Sequence, residues 1–243
     1  MRAYRLRQPL LASLFDSMLA PSLVSALDAD APSSVLEERA PGVFEFVLFT
    51  EKTCQLWLRE LHAFEHHCAR TNTKPTRPNS MNAYGVVLSE LSLQYAMDDL
   101  LARCVRPLAT AVLATHHAAT LDHQHAFVVD YAVGGDRSLD LHVDDSEVTL
   151  NVCLGWEFEG AAVRFEGVRC EDHRADPSDA SERFEWTPQP GSALLHAGAN
   201  RHCVTELRDG RRTNLIVWAR SAKHRRAHDS PHSAPMPACR RCG

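Results

Sequence analysis

Two hydrophobic periodicities divide this chain. In EKTCQLWLRELHAFEHHCAR, Cys54, Trp57, Leu58, Leu61, Phe64 and Cys68 recur at helical spacing and form one apolar face. Lys52, Arg59, Glu60, His66 and His67 fall on the other side, and Glu65 breaks the pattern. Ahead of this helix, Phe44, Phe46 and Leu48 alternate as in a short strand. The stretch KPTRPNSMNAYG, residues 74–85, carries two prolines and excludes a regular helix. Leu88 to Thr115 returns to helical spacing, with Pro107 expected to kink or split it.

From Ala126 the period changes. AFVVDY, LDLHV, EVTLNVCL, AAVRF, SALLHAG and TNLIVWAR are short runs rich in β-branched and aromatic residues, with glycines between them. Many short strands without intervening helices predict a sandwich or barrel. The charged segment Arg169 to Pro190 reads as a long surface loop. The expected organisation is a loosely attached N-terminal extension (1–40), a helical support region (41–125), a β core (126–220) and a disordered His- and Cys-containing tail (221–243).

Composition narrows the class. A hydrophobic content of 44% and a charged content of 23% are those of a soluble globular protein. The net charge of -5 argues against nucleic acid as a partner, and no apolar run is long enough for a membrane span. The opening residues read as an amphipathic helix, with a transit peptide as the alternative. Without a signal-peptide pattern, the eight cysteines are expected as reduced thiols, mostly buried, and an intracellular location is favoured over secretion.

The chemistry gathers in YAVGGDRSLDLHVDDSEVTLNVCL, residues 131–154. His142 and Asp144 stand two residues apart, so on an extended strand they share a face. They supply two-thirds of a 2-His-1-carboxylate iron site. His202 is the candidate third ligand. Its rival is His196, but ten residues after His196 stands Glu206, whereas ten after His202 stands Arg212. Alternation along 212–218 places Arg212, Asn214, Ile216 and Trp218 on one face and leaves Arg211 outward. A buried guanidinium beside a metal with open positions suits a dicarboxylate, which its planar fork binds bidentately.

His142, Asp144, His202 and a basic residue ten later, together with RPNSMNAYG, AFVVDYAVG, LHVDDSEVTLNVCLG and RRTNLIVWAR, resemble the Fe(II)/2-oxoglutarate dioxygenases, in the prolyl and lysyl hydroxylase branch. The resemblance runs from about Pro41 to Arg220. It implies an α+β fold, a double-stranded β-helix (jelly roll, cupin-like) with flanking N-terminal helices. It also implies that His142, Asp144 and His202 bind Fe(II) and catalyse, and that Arg212 holds the far carboxylate of 2-oxoglutarate. Tyr131 stands where related hydroxylases have a cofactor-contacting tyrosine. Thr149, Asn151 and Cys153 share a strand face expected to line the pocket, with Thr149 and Asn151 as cofactor contacts. Leu139 to Leu141 and Cys153 depart from the aromatic and tyrosine that related hydroxylases often carry there.

The activity implied is hydroxylation of a C–H bond, on a protein side chain, with succinate and CO2 as co-products and ascorbate as a reductant. The substrate, protein or small molecule, is not fixed by the resemblance. The Arg77–Gly85 block and the Arg169–Pro190 segment are the candidates for substrate contact. The alternative is a non-catalytic jelly roll that senses metal and 2-oxoglutarate. In the tail, His224, His228, His232, Cys239 and Cys242 offer the donors of a zinc site, although one CxxC without a second pair is a weak pattern.

Overall fold

The computed structural model describes residues 4–13, 17–155, 157–173, 175–227, 239, 241 and 242. A first helix, α1 (Pro21–Asp28), leads into a hairpin of β1 (Glu37–Ala40) and β2 (Val43–Val47). The long helix α2 (Glu51–Thr71) follows. It starts where the Thr50 hydroxyl accepts from the Thr53 amide, and stops where Asn72 turns left-handed at φ 52°. After β3 (Gly85–Val87) and a 3-10 turn come α3 (Gln94–Leu100), a π turn (Leu101–Val105) and α4 (Arg106–Val112). Pro107 sits in the first turn of α4. The preceding π turn marks where the expected break falls.

Nine further strands carry the rest: β4 (His123–Ala132), β5 (Leu139–His142), β6 (Val148–Gly155), β7 (Phe158–Gly160), β8 (Val163–Val168), β9 (Arg183–Trp186), β10 (Ser192–Ala197), β11 (Asn200–Val204) and β12 (Leu207–Arg220). A short helix, α5 (Ala222–Ala227), ends the described run. The strands form two antiparallel sheets. The major one is ordered β1-β2-β10-β6-β12-β4-β3, with β7 on β12, and the minor one β5-β11-β8-β9. From β4 on, the chain passes repeatedly between the two sheets (β4 to β5 to β6, β7 to β8, and β9 to β10 to β11 to β12), which is the winding of a double-stranded β-helix.

The buried strand β6 shows how sequence sets the layers. Val148, Leu150, Val152 and Leu154 join the core shared with α2, α3 and α4, as do Leu215, Val217 and Ala219 of β12. Thr149, Asn151, Asn214 and Arg212 occupy the alternate positions and are also buried. Burial of polar groups on the second face requires partners there, and this face lines a cavity. The helices thus brace the outer face of the major sheet, and the site is built on its inner face.

Several expectations change. The extension is not loosely attached. Leu11, Met18, Leu19 and Leu23 are buried in the main core, and the polar-side residue Glu60 is fully buried. Its carboxylate accepts from the Tyr4 hydroxyl and from the backbone amides of Arg7 and Gln8. A helix-face reading cannot anticipate a separate segment arriving with unpaired amides. The sheet is not confined to 126–220, because β2 pairs along its whole length with β10. The Arg169–Pro190 segment is not only a loop, since β9 within it pairs with β8. In the expected disordered tail, residues 222–227 form α5, and residues 228–238 lie outside the described residues. Among the described residues no helix is long and apolar enough to cross a membrane.

Candidate metal and cofactor site

His142 ends β5, and His202 is its direct partner on β11. The antiparallel register brings their rings to 4.3 Å between centroids. Asp144 is not on the strand, as the two-residue spacing implied. The strand stops at His142, and the Asp144 amide instead donates to the Gly198 carbonyl at 2.9 Å. Gly198 is required at that crossing, because a Cβ there would stand 2.0 Å from the Ser146 carbonyl oxygen. The result keeps the convergence the sequence suggested. His142 Nε2 lies 3.7 Å from Asp144 Oδ1, His202 Nε2 lies 3.7 Å from Asp144 Oδ2, and all three ligand atoms fall within 4.8 Å of one another.

The tautomers follow from the neighbours. His142 Nδ1 is 2.7 Å from the Asp140 carbonyl, and His202 Nδ1 is 2.9 Å from the Asn200 carbonyl. A carbonyl only accepts, so each Nδ1 carries the proton and each Nε2 presents a lone pair toward Asp144. Burial, and then the His202 ring, lower the His142 pKa and keep it neutral. Burial alone would raise the Asp144 pKa, but the imidazoles of His202, His196 and His142 and the Thr149 hydroxyl hold it below the ordinary carboxylate value. Three donors, two imidazoles and one carboxylate, suit a divalent transition metal.

Sequence reasoning treated His196 as a rival to His202, and the structure places both beside Asp144. His196 is fully buried on β10, with Nε2 3.9 Å from Asp144 Oδ2. Burial pushes its pKa down to about 4. It lies outside the three-residue cluster and packs edge-on against Phe165.

A cavity of about 170 Å³ opens beside the three residues, lined by Tyr131, Thr149, Asn151, Arg212, Ile216 and Trp218 among others. Drug-sized ligands fill ~300–1,000 Å³, so this space suits a small molecule. Arg212 is 1% exposed and pairs with Tyr131 across β12 and β4. Its guanidinium lies 4.7 Å over the Tyr131 ring and donates to the Ala161 carbonyl, while Nε is unpartnered. Burial lowers the Arg212 pKa. No carboxylate faces it among the described residues. Arg211, on the other face, is held by Asp130 and Glu65 at 2.6 Å each. Arg212 is therefore a buried cation at a cavity wall with no counter-ion among the described residues.

The remaining expected residues divide. Thr149 lines the cavity, and its hydroxyl donates to Asp144 Oδ2 at 2.6 Å, so it positions the carboxylate. Asn151 lines it too and accepts from Asn214 at 2.6 Å. Cys153 does not line it. It packs among Val163, Phe165 and Trp186. Of the candidate substrate-contact segments, Asn79 to Asn82 line the cavity, and Asn82 donates to the Tyr131 hydroxyl at 3.3 Å. The described residues of Arg169–Pro190 do not line it.

One determinant was invisible in the sequence. Helix α5 braces the Asp144 loop from outside: Arg225 pairs with Asp145 at 2.7 Å and with Glu147 at 2.9 Å, and Arg220 also reaches Asp145 at 2.7 Å. Nothing local to either segment signals this pairing.

Three comparisons with known proteins show what the chain is similar to. Residues 1–116 match the model of the OGFOD2-like domain, a match that ends before the three clustered residues. The chain is 38% identical over 208 residues to the 2-oxoglutarate and iron-dependent oxygenase domain-containing protein CP2 of Arabidopsis thaliana, covering 84% of this chain and 53% of that protein. It is 35% identical over 223 residues to the human 2-oxoglutarate and iron-dependent oxygenase domain-containing protein 2, covering 86% of this chain and 61% of that one. The chain thus spans little more than half of these relatives' length. Among solved structures, a Pseudomonas putida prolyl-4-hydroxylase aligns at 15% identity and a TM-score of 0.47, over 85% of this chain and 98% of that one. The chain is thus similar to the OGFOD2-like domain over residues 1–116, and over most of its sequence to part of the 2-oxoglutarate and iron-dependent oxygenase domain-containing proteins.

Proposed function

We propose that this chain is an Fe(II)- and 2-oxoglutarate-dependent dioxygenase that hydroxylates a C–H bond. The observation that carries the reading is a His-Asp-His cluster and a buried arginine, without a counter-ion among the described residues, on one small cavity. In this reading His142, Asp144 and His202 hold the metal. Three protein ligands would leave room on the ion for cofactor and oxygen. When bound, iron and 2-oxoglutarate supply the oxidation, with decarboxylation of the cofactor to succinate and CO2.

The protein's own residues bind and orient. Arg212 neutralises the far carboxylate of the cofactor, and Tyr131 fixes the guanidinium plane beneath it. Thr149 holds Asp144 in the rotamer that faces the two imidazoles. Asn151 and Asn82 offer amides to the cofactor's oxygens and to the Tyr131 hydroxyl. Asn79 to Asn82, with Met81 45% exposed, form the rim on which a substrate is presented. A protein side chain is the substrate class we favour, with ascorbate as the reductant that restores Fe(II). A Caenorhabditis elegans multifunctional procollagen lysine hydroxylase and glycosyltransferase, 26% identical to this chain over 152 residues (57% of this chain and 20% of that protein), supports that choice.

The test is succinate production by purified protein with Fe(II), 2-oxoglutarate and ascorbate, repeated with His142→Ala. Turnover in the wild type and none in the variant is expected. Bound iron with no succinate under any candidate substrate would favour a sensor.

A further inference from the structure

A second group of metal-type donors lies outside this site. Cys170 precedes a 3-10 turn (Glu171–His173) just beyond β8 that ends on His173, and the Cys242 amide bonds to the Cys239 carbonyl at 3.1 Å. The His173 amide likewise bonds back to the Cys170 carbonyl at 3.2 Å. Two such knuckles, C-x2-H and C-x2-C, each aim two donors to one side. The fold sets them face to face, and all four donor atoms lie within 4.8 Å of one another.

We propose that Cys170, His173, Cys239 and Cys242 bind one zinc ion that fastens the C-terminal segment to the end of β8. The spacings are those of a coordination tetrahedron. With Zn–S of about 2.3 Å and Zn–N of about 2.0 Å, sulfurs lie about 3.8 Å apart, and sulfur and nitrogen about 3.5 Å apart. Here Cys170 Sγ is 3.4 Å from Cys242 Sγ and 3.7 Å from Cys239 Sγ. His173 Nδ1 is 3.1, 3.8 and 3.6 Å from the sulfurs of Cys170, Cys239 and Cys242. A disulfide would need sulfurs about 2.05 Å apart, and no disulfide joins these thiols. Unlinked thiols this close to one another and to an imidazole have a common chemical use, which is a thiolate metal site. Three thiolates and an imidazole in a closed tetrahedron select zinc over the harder ions that suit the His-Asp-His cluster.

The surroundings fit a site of net charge -1. Arg169 and Arg201 are buried near enough to Cys239 to interact with its thiolate. Arg169 also closes a bidentate pair with Glu182, at 2.7 and 2.8 Å. Arg241, between the two tail cysteines, donates to the Pro177 carbonyl at 3.0 Å and to Asp179 at 3.1 Å. Loading is not redox chemistry: three thiol protons leave as Zn2+ binds, and the imidazole contributes its Nδ1 lone pair. The centre has four protein ligands and no open position, so its role is structural. It anchors β8, whose Val168 pairs with Asn200, two residues before His202. The expected tail site drew on different partners. His224 stacks on His117 at 3.8 Å, and His228 and His232 lie outside the described residues.

The experiment uses the full chain, purified under reducing conditions and loaded with zinc. Elemental analysis should find one zinc per chain that persists in His142→Ala and is lost in the Cys239→Ser/Cys242→Ser double variant, which leaves the jelly-roll ligands untouched. His173→Ala should release zinc to a chelator faster than wild type, and His173→Cys should restore retention. Cobalt substitution should give the intense thiolate-to-metal absorption that the nitrogen and oxygen donors of the first site cannot produce. Equal zinc in the wild type and the double variant, or a cobalt protein without thiolate absorption, overturns the proposal. So does a Cys170–Cys242 disulfide that forms in place of zinc uptake. None of these outcomes bears on the dioxygenase reading, which the succinate assay tests separately.

Discussion

Arg212→Met separates a cofactor anchor from a structural core arginine. In the cofactor-free protein, Arg212 is a fully buried cation, and the cost of burying it is several kcal/mol even after relaxation. Two contacts offset this. Stacking over Tyr131 contributes up to ~2 kcal/mol when desolvated, and the charged bond to the Ala161 carbonyl ~1.5–3 kcal/mol. The terms nearly cancel. Methionine, apolar and of similar reach, should therefore leave cofactor-free stability within about 1 kcal/mol of wild type. Loss of one partner of a buried ion pair would instead cost ~3–5 kcal/mol.

Ligand binding breaks the symmetry. At a hundredfold excess over the dissociation constant, 2-oxoglutarate should stabilise the wild type by about 2.7 kcal/mol. That corresponds to ~5–11 °C in Tm for a domain of this size. Thermal denaturation with Mn(II), a redox-inert stand-in for Fe(II), reads both quantities. The expected result is a large 2-oxoglutarate shift in the wild type and none in Arg212→Met, with similar starting Tm values. A variant that loses more than ~3 kcal/mol before any ligand is added would show that Arg212 already has a counter-ion. A variant that keeps the full shift would show that the carboxylate binds elsewhere.

Other perturbations act on single links. Thr149→Val removes the hydroxyl held 2.6 Å from Asp144 and should weaken metal binding ~10–100-fold, with Thr149→Ser close to wild type; titration with Mn(II) followed by electron paramagnetic resonance decides it. Gly198→Ala puts a Cβ 2.0 Å from the Ser146 carbonyl and should cost ~1–3 kcal/mol or more while displacing Asp144. Unchanged urea midpoint and metal content would contradict that account. Glu60→Ala strips the acceptor from the Arg7 and Gln8 amides, so their hydrogen-exchange protection should fall by about 100-fold, equivalent to ~3 kcal/mol of local stability. Unaltered exchange there would mean that the apolar residues around Leu11 hold the segment alone.

The local periodicities of this chain are legible because they depend only on neighbours in sequence. The helical face from Cys54 to Cys68 and the alternation through β6 and β12 specify which side chains face the helices. They also specify that Arg212, Ile216 and Trp218 share a face on the cavity. The residue types at 142, 144, 202 and 212 suggested a metal and dicarboxylate site before any fold was known, and the structure brings them to one cavity.

What tertiary structure decided is every pairing between distant segments. Alternation does not say that β5 stops at His142, because that end is set by the Gly198 carbonyl taking the Asp144 amide. It does not assign Thr149 to Asp144, or α5 to the Asp145 loop, because those partners meet only when the two sheets close. A polar residue on a helix reads as solvent-facing until another segment brings it unpaired amides, which is how Glu60 came to be buried. The zinc proposal shows the same division. Cys170 and His173 lie in one loop and Cys239 and Cys242 in the tail, and each pair alone is a weak signal. Sequence spacing aims two donors, but only the folded chain makes four of them a tetrahedron.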